Sequence, residues 1–236
     1  MTIATFNIDW AKKNRNHIHA IEFELKARDF DILILTESVP LNLPAYNFIY
    51  ATTSLPQGQE YEGLDYSTYL NGRAANRVTV YSKYPSLKAY EVVDDFTSIC
   101  HEFDTDTGGI TIYATIIGTW FRNKMEYAKK ELDNCIQDCQ KISKQTNTLC
   151  LAGDLNTSFL PTDGDLQINN ETTMLLKNLC ITCKLVLTTA QLENNIDHIF
   201  LPQHFNLTLH IAPPKVFVEK GKLSDHQGVY VDIQHR

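Results

Sequence analysis

The 236-residue sequence predicts a layered α/β sandwich with mixed sheets. Three observations lead there: many short β-rich runs bounded by turn residues, two amphipathic helical stretches among them, and an order that mixes βα units with hairpins. Apolar residues make up 43% of the chain and charged residues 21%, the balance of a protein that buries a sizeable core. Nothing in the composition marks a linker, so one domain over 1–236 is expected.

Thr2 to Trp10 alternates apolar and polar residues as a half-buried strand does, ending near Asn7, and the polar stretch Lys12 to Asn16 reads as a loop. From His17 to Arg28, Ile18, Ile21 and Leu25 recur at helical spacing. Asp31 to Leu35 follows as a buried strand that closes in Thr36 and Glu37. Residues Leu41 to Gly72 are rich in Pro, Gly, Tyr and polar side chains without a period, and read as a long surface segment. Strands are expected at Arg77 to Ser82, Ile110 to Ile117, Thr148 to Ala152, Leu185 to Thr189, His198 to Leu201, Leu207 to Ile211 and Gly228 to Ile233. Met125, Ala128, Leu132, Cys135, Ile136, Cys139 and Ile142 mark one face of a long helix, and Met174, Leu175 and Leu179 that of a shorter one.

The longest apolar runs fall far short of the roughly 20 residues that cross a bilayer as a helix, and no signal-peptide pattern opens the chain. A cytoplasmic location without a membrane segment is expected. The six cysteines read as free thiols. Cys180 and Cys183 have C-x-x-C spacing without a second pair at zinc-ligand spacing. A net charge of −7 argues against strong nonspecific attraction to nucleic acid, although a carboxylate metal site contributes to such a deficit and its cation reverses the local field.

Five polar clusters interrupt the apolar strands at their ends: Thr-Phe-Asn-Ile-Asp around Asn7, Leu-Thr-Glu-Ser around Glu37, Leu-Ala-Gly-Asp-Leu-Asn around Asp154, Asn-Ile-Asp-His around Asp197 and Leu-Ser-Asp-His around Asp225. Taken singly, an Asp or Asn at a strand end is usually a turn former. In this order the clusters resemble the endonuclease/exonuclease/phosphatase superfamily, which includes abasic-site endonucleases, deoxyribonuclease-like enzymes, sphingomyelinases and inositol-polyphosphate phosphatases. Gly153-Asp154-Leu155-Asn156 is similar to its Gly-Asp-x-Asn, Ser224-Asp225-His226 to its terminal Ser-Asp-His, and Asn76 to Pro85 to the strand ending in Ser-x-x-Pro. The resemblance implies a four-layer α/β sandwich with two mixed, mainly antiparallel sheets face to face and helices outside.

It also implies a metal-dependent phosphoesterase. Hard Mg2+, or Mn2+ in its place, takes one or two carboxylates and keeps several waters. Glu37 is the leading ligand, Asn7 supports the same ion, and Asp225 is a ligand or its close neighbour. Asp9 reads either as a further ligand or as a loop acid. Asp154 orients or deprotonates the attacking water, and Asn156 donates to the phosphate. His226 binds a phosphoryl oxygen as imidazolium, with Asp197 orienting the ring and favouring its charged form. Many relatives carry a histidine where this chain places Ile116, and Tyr113 and Thr115 are either substitutes for it or ordinary strand residues. Arg73, Asn76 and Arg77 either meet substrate phosphates or lie in a solvated loop. Lys12, Lys13 and Arg15 form either a basic rim or a solvent-facing run. Three functions stay open. The preferred one is a nuclease on DNA or RNA; the others are a phosphatase or phosphodiesterase for a small phosphorylated metabolite or lipid headgroup, and a binding module on the same scaffold. No protein partner is inferred.

Overall fold

Two sheets stacked face to face carry the molecule. The computed structural model describes all residues except 12–14, 55–59, 62–63, 66–74, 119–124, 165 and 167. The first sheet is built from β1 (Thr2–Asn7), β2 (Ile32–Ser38), β3 (Phe48–Ala51), β6 (Asn76–Ser82), β13 (Leu209–Ile211), β14 (Lys215–Val218) and β15 (Gly228–His235), in the order β13-β15-β1-β2-β6-β3 with β14 also on β15. The second contains β7 (Ser86–Tyr90), β8 (Ser98–Thr105), β9 (Gly108–Ile116), β10 (Leu149–Asp154), β11 (Leu185–Leu187) and β12 (Asp197–Pro202), in the order β11-β12-β10-β9-β8-β7. A short hairpin pairs β4 (Glu60–Tyr61) with β5 (Leu64–Asp65).

Each sheet is antiparallel except for one parallel pair near its centre: β1 with β2 and β9 with β10. A parallel pair needs a crossover, and here each crossover is a helix. α1 (Arg15–Lys26) joins β1 to β2, and α2 (Met125–Ile142) joins β9 to β10. α3 (Asn170–Cys183) follows β10, and the short α4 (Phe205–Thr208) precedes β13.

The apolar side chains sort into three clusters that define four layers. Ile3, Ile32, Ile34, Val78 and Val80 meet Ile112, Ala114, Ile116, Cys150, Ala152 and Ile199 between the sheets. Phe6, Leu33 and Leu35 pack outward against Ile21 and Leu25 of α1. Tyr113, Leu149 and Leu151 pack outward against Leu132, Cys135 and Cys139 of α2 and Leu176 and Leu179 of α3. Successive strand residues point to opposite faces, and because both faces are covered, β2 and β10 read as continuous apolar runs. All six cysteines are free thiols.

Several boundaries differ from the sequence reading. The segment from 41 to 72 contains β3, which pairs antiparallel with β6 at the sheet edge. Its Ile49 is exposed, and one-sided burial over four residues leaves too short a pattern to read. β7, β8 and β14 were not anticipated either: β7 and β14 are half-exposed edge strands, and β8, between β7 and β9, is itself partly exposed, so all three mix polar and apolar residues. Residues 207–211 divide into the end of α4 and β13, and α1 begins at Arg15 within the expected loop. Met174 is 56% exposed; the buried face of α3 is Thr172, Thr173, Leu176 and Leu179. Asn169 caps this helix by accepting from the Thr172 backbone N–H at 3.1 Å.

Gly153 lets β9 and β10 close at the end that matters. Its φ is +141°, and a Cβ there would lie 1.9 Å from the Thr115 carbonyl oxygen. Gly153→Ala is expected to cost about 3 kcal/mol, because neither the backbone angle nor the neighbouring strand tolerates the methyl. The urea midpoint of unfolding measures it, and an unchanged midpoint would remove the close approach as a constraint.

Candidate active site

At one end of the sandwich the two sheets meet through polar side chains instead of apolar ones. Asn7 ends β1, and Asp154 ends β10 in the facing sheet; Asn7 Nδ2 donates to Asp154 Oδ2 at 2.9 Å. Asp197 opens β12 and lies opposite Asp154 in the antiparallel register. His226 stands two residues before β15, in the first sheet, and its Nδ1 lies 2.7 Å from Asp197 Oδ2. So two hydrogen bonds cross between the sheets side by side, from neighbouring strands β1 and β15 to neighbouring strands β10 and β12. Asn7, Asp154, Asp197 and His226 are all buried.

Because Nδ1 is engaged by Asp197, Nε2 is the open nitrogen of His226; it is 3.9 Å from Asp154 Oδ2 and 4.0 Å from Asp225 Oδ1. Burial pulls this imidazolium toward the neutral form. The carboxylates of Asp154 and Asp197 outweigh that and hold the ring well above its ordinary value, so it carries charge at neutral pH. Burial likewise pushes the Asp154 carboxyl above the usual carboxylate range, with the Asp197 charge adding to it and the His226 charge opposing. A raised carboxylate beside a fixed cation suits proton acceptance near neutral pH.

The loop after β10 presents Asp154. The Asn156 backbone N–H donates to Asp154 Oδ1 at 2.9 Å, and Asn156 Nδ2 donates to Asp154 Oδ2 at 3.0 Å and to the Ile117 carbonyl at 2.7 Å. Asn156 has both amide protons engaged here, one by the Asp154 carboxylate and one by the Ile117 carbonyl. Its φ of 48°, with 46° at Glu37 and 48° and 55° at Asp9 and Trp10, places four left-handed non-glycine residues around the site. Each costs about 1 to 3 kcal/mol, held by surrounding structure.

The expected metal ligands sit at strand ends and in the segments next to them. Glu37 is half-buried at the end of β2, Asp9 is half-buried beyond β1 and donates its backbone N–H to Asn7 Oδ1 at 2.8 Å, and the Asp225 side chain is 78% exposed. Among the described residues, the His, Cys, Asp and Glu donors that converge within 4.8 Å of one another are Asp154, Asp197 and His226, not Glu37, Asp9 and Asp225. Glu37, Asp9, Asn7 and Asp225 are an oxygen donor set by their chemistry; Asp9 is tied to Asn7, and Asp225 Oδ1 lies 4.0 Å from His226 Nε2. Asn7 Oδ1 keeps a second lone pair after the Asp9 bond. That set fits a hard divalent cation, which needs few carboxylates and retains waters.

Four expected substrate contacts lie elsewhere. Tyr113 is fully buried on the outer face of β9, where its hydroxyl donates to Asp138 Oδ2 at 3.0 Å. Thr115 is buried on the same face, 2.8 Å from Ser98 Oγ. Strand alternation turns both away from the inner face that holds Ile116. Asn76 donates to the Thr52 carbonyl at 2.6 Å, tying β6 to the segment after β3. Arg77 is buried in an ion pair with Glu131 of α2, so it is neither solvated nor aimed at a phosphate. Arg73, Lys12 and Lys13 lie outside the described residues.

Sequence reading missed the support behind Asp197. His198 is buried, with Nε2 2.9 Å from the Thr157 carbonyl and Nδ1 2.9 Å from Thr189 Oγ1, so the ring is a neutral Nε2–H tautomer by its partners. Burial lowers it to about 4, opposed by the Thr157 carbonyl. Asn195 Nδ2 donates to the Asp197 carbonyl at 2.6 Å. The signal was present in Asn-Ile-Asp-His, but a histidine next to a functional Asp gives no sign of which way it points.

The endonuclease/exonuclease/phosphatase family model matches residues 4–226. The chain belongs to this family. As a member of the endonuclease/exonuclease/phosphatase family it is a phosphoester hydrolase, and the family's enzymes are metal-dependent nucleases and phosphatases. Three solved structures share the fold. An AP endonuclease from Archaeoglobus fulgidus superposes with a TM-score of 0.70 at 15% identity, covering 98% of each chain. A 3' phosphatase from Neisseria bound to product DNA hairpin gives 0.69 at 15% identity over 99% of each. An endonuclease/exonuclease/phosphatase from Beutenbergia cavernae gives 0.68 at 17% identity, over 100% of this chain and 71% of that one. No curated protein matches the sequence. Among the described residues no helix is long and apolar enough to cross a membrane.

Two histidines with opposite environments give a direct test. An unfolded histidine titrates near 6.5. His226 is raised in the fold, so its contribution to stability is present below about 6.5 and lost as pH rises through its folded value; His198 is lowered, so its contribution is present above about 6.5 and lost as pH falls toward about 4. Imidazole 15N spectra at pH 7 should show His226 doubly protonated and His198 as a neutral Nε2–H ring. A neutral His226 at that pH would contradict the charge assignment.

Proposed function

We propose that the protein is a nuclease that hydrolyses phosphodiester bonds in DNA or RNA with Mg2+, or Mn2+ in its place, by direct attack of water. One observation carries this reading: His226, fixed at Nδ1 by Asp197, stands with Nε2 open beside a carboxylate, Asp154, that two amides orient. Glu37 and Asn7, with Asp225 and Asp9 beside them, would hold the cation. When bound, the cation supplies Lewis-acid polarisation and charge neutralisation at the phosphoryl oxygens. His226 donates its Nε2–H to a phosphoryl oxygen and stabilises the charge that builds there. Asp154 takes the proton of the attacking water at Oδ1, which the Asn156 N–H leaves with a free lone pair. Ile116, buried between the sheets, neither donates nor accepts, so no acid from β9 serves the leaving oxygen.

Two of the similar structures support the nucleic-acid reading: one is an AP endonuclease, the other a 3' phosphatase bound to DNA. A net charge of −7 and the burial of Arg77 favour the second reading, a phosphatase or phosphodiesterase for a small phosphorylated metabolite or lipid headgroup. We read the chain as one domain, matched to the family from 4 to 226, and the six free thiols fit a cytoplasmic protein.

A hydrolysis screen with Mg2+ or Mn2+ over supercoiled DNA, abasic duplex, single-stranded RNA and a panel of phosphomonoesters and diesters separates the readings. Cleavage of a polymer is the expected result; turnover confined to small esters would favour the second reading, and inactivity throughout without metal binding would leave a binding module. Chelation should abolish the activity, and full turnover in excess chelator would refute the cation. Asp154→Asn should keep the fold and lose about 10² to 10⁴ in rate, the scale of acid–base assistance, as read from kcat at matched metal concentration.

A further inference from the structure

The sandwich places the cation donors and the water-activating carboxylate on different sheets; Asn7 joins them directly at Asp154, and a second tie starts beside Glu37. Glu37 lies on β2, and the antiparallel register pairs Thr36 with Val78 and Ser38 with Asn76. Arg77 is thus the β6 residue alongside Glu37. Arg77 is 6% exposed, and its guanidinium donates through Nη1 to Oε1 of Glu131, itself 3% exposed. Glu131 belongs to α2, which packs on the outer face of the other sheet. Its second oxygen, Oε2, accepts from the Gly118 backbone N–H at 2.5 Å.

From Gly118 the connection continues one residue back. The Ile117 N–H donates to the Asp154 carbonyl at 2.9 Å, and the Ile117 carbonyl accepts from Asn156 Nδ2 at 2.7 Å. Asn156 in turn donates twice to the Asp154 carboxylate. A continuous set of bonds therefore runs from the strand beside Glu37, through Arg77 and Glu131, to Asp154. Gly118 fits the same contact closely, since a Cβ there would come 3.1 Å from Glu131 Oε2.

We infer that Arg77 and Glu131 are positioning residues that fix the distance between the cation side of the site and Asp154. The inference rests on the phosphoesterase reading above. Stability alone is a poor reason for this pair, because a buried ion pair roughly offsets its own desolvation and an apolar pair of similar volume is often as stable. Position is different: a shift of about 1 Å in a reacting group costs about 10² in rate. An apolar pair keeps the packing but loses the fork that ties Gly118 to β6.

The test separates the two roles through a double variant. Glu131→Gln, Arg77→Met and the double Arg77→Met with Glu131→Leu are compared with the parent on bis(p-nitrophenyl) phosphate and Mg2+, together with thermal unfolding and amide hydrogen exchange. The single variants should lower both Tm and kcat. The double variant should recover Tm, keep KM within about twofold, and remain about 10 to 100-fold low in kcat. The amides of Ile117 and Asn156 should exchange about tenfold faster in it, while those of Leu209–Ile211 stay unchanged. Recovery of kcat together with Tm in the double variant would overturn the inference. If the parent does not turn over the diester, the phosphoesterase reading falls and exchange alone decides: unchanged protection at Ile117 and Asn156 would overturn the positioning role as well.

Discussion

Two hydrogen bonds, from Asn7 to Asp154 and from His226 to Asp197, join the sheets at one end of the sandwich, and the rest of the site is arranged around them. Sheets that stack normally exclude charge from their interface, since burying an ionised carboxylate without partners costs several kcal/mol. Here two fully buried aspartates sit opposite each other on β10 and β12. A single imidazolium between them, with two amides on Asp154, offsets that cost. Removing any one member leaves its neighbours charged and buried, so the cluster is cooperative in the sense that its parts are worth little alone. The Oδ1 atom of Asp197 is buried with no hydrogen-bond partner among the described residues, which makes the tie to His226 the chief compensation for that carboxylate.

Topology explains why these residues meet. Each parallel pair, β1 with β2 and β9 with β10, delivers two strand ends to the same edge, and the crossover helices occupy the outer layers instead of the gap between the sheets. Asn7 and Glu37 thus end adjacent strands of one sheet, and Ile116 and Asp154 end adjacent strands of the other. The close approach at Gly153 draws β9 onto β10 at that edge. The left-handed residues Asp9 and Asn156 follow Asn7 and Asp154 by two residues, where those strands end, while left-handed Glu37 stands within β2, whose pairing continues from Ser38 to Asn76.

The sequence made the centre of this arrangement legible and its periphery much less so. Apolar runs such as Ile32 to Leu35 and Leu149 to Ala152 announce strands covered on both faces, and each breaks into polar residues where the site begins. β3 and β7 at the sheet edges have no such contrast, because water and core alternate over a few residues. Side-chain roles divided in the same way. Asp154, Asp197 and His226 follow from motif context, whereas the inward or outward sense of Tyr113 and Thr115 depends on strand phase that one residue of slippage reverses. Arg77 illustrates the hardest case. Its partner is Glu131 on a helix more than fifty residues later, within an ordinary amphipathic pattern, and only the packing of α2 reveals that the guanidinium is already committed.

That commitment bears on how an acidic protein handles an anionic substrate. On the proposed reading, a phosphate approaching the gap would meet Asp154, Asp225, Asp9 and Glu37, a field that would repel it until a cation occupied the oxygen donors. With Arg77 neutralised by Glu131, the positive charge that the described part of the site offers directly is the His226 imidazolium, itself dependent on two carboxylates. On the proposed reading, a cation held by Glu37 and Asn7 and the imidazolium of His226 would both face the phosphoryl group. One is supported by the first sheet's loops, and the other is fixed by the second sheet's Asp197. The proposed reaction would need both at a set separation, and that separation would follow from how the two sheets stack. This is why the same bonds that hold the sandwich closed at this end also set its chemistry.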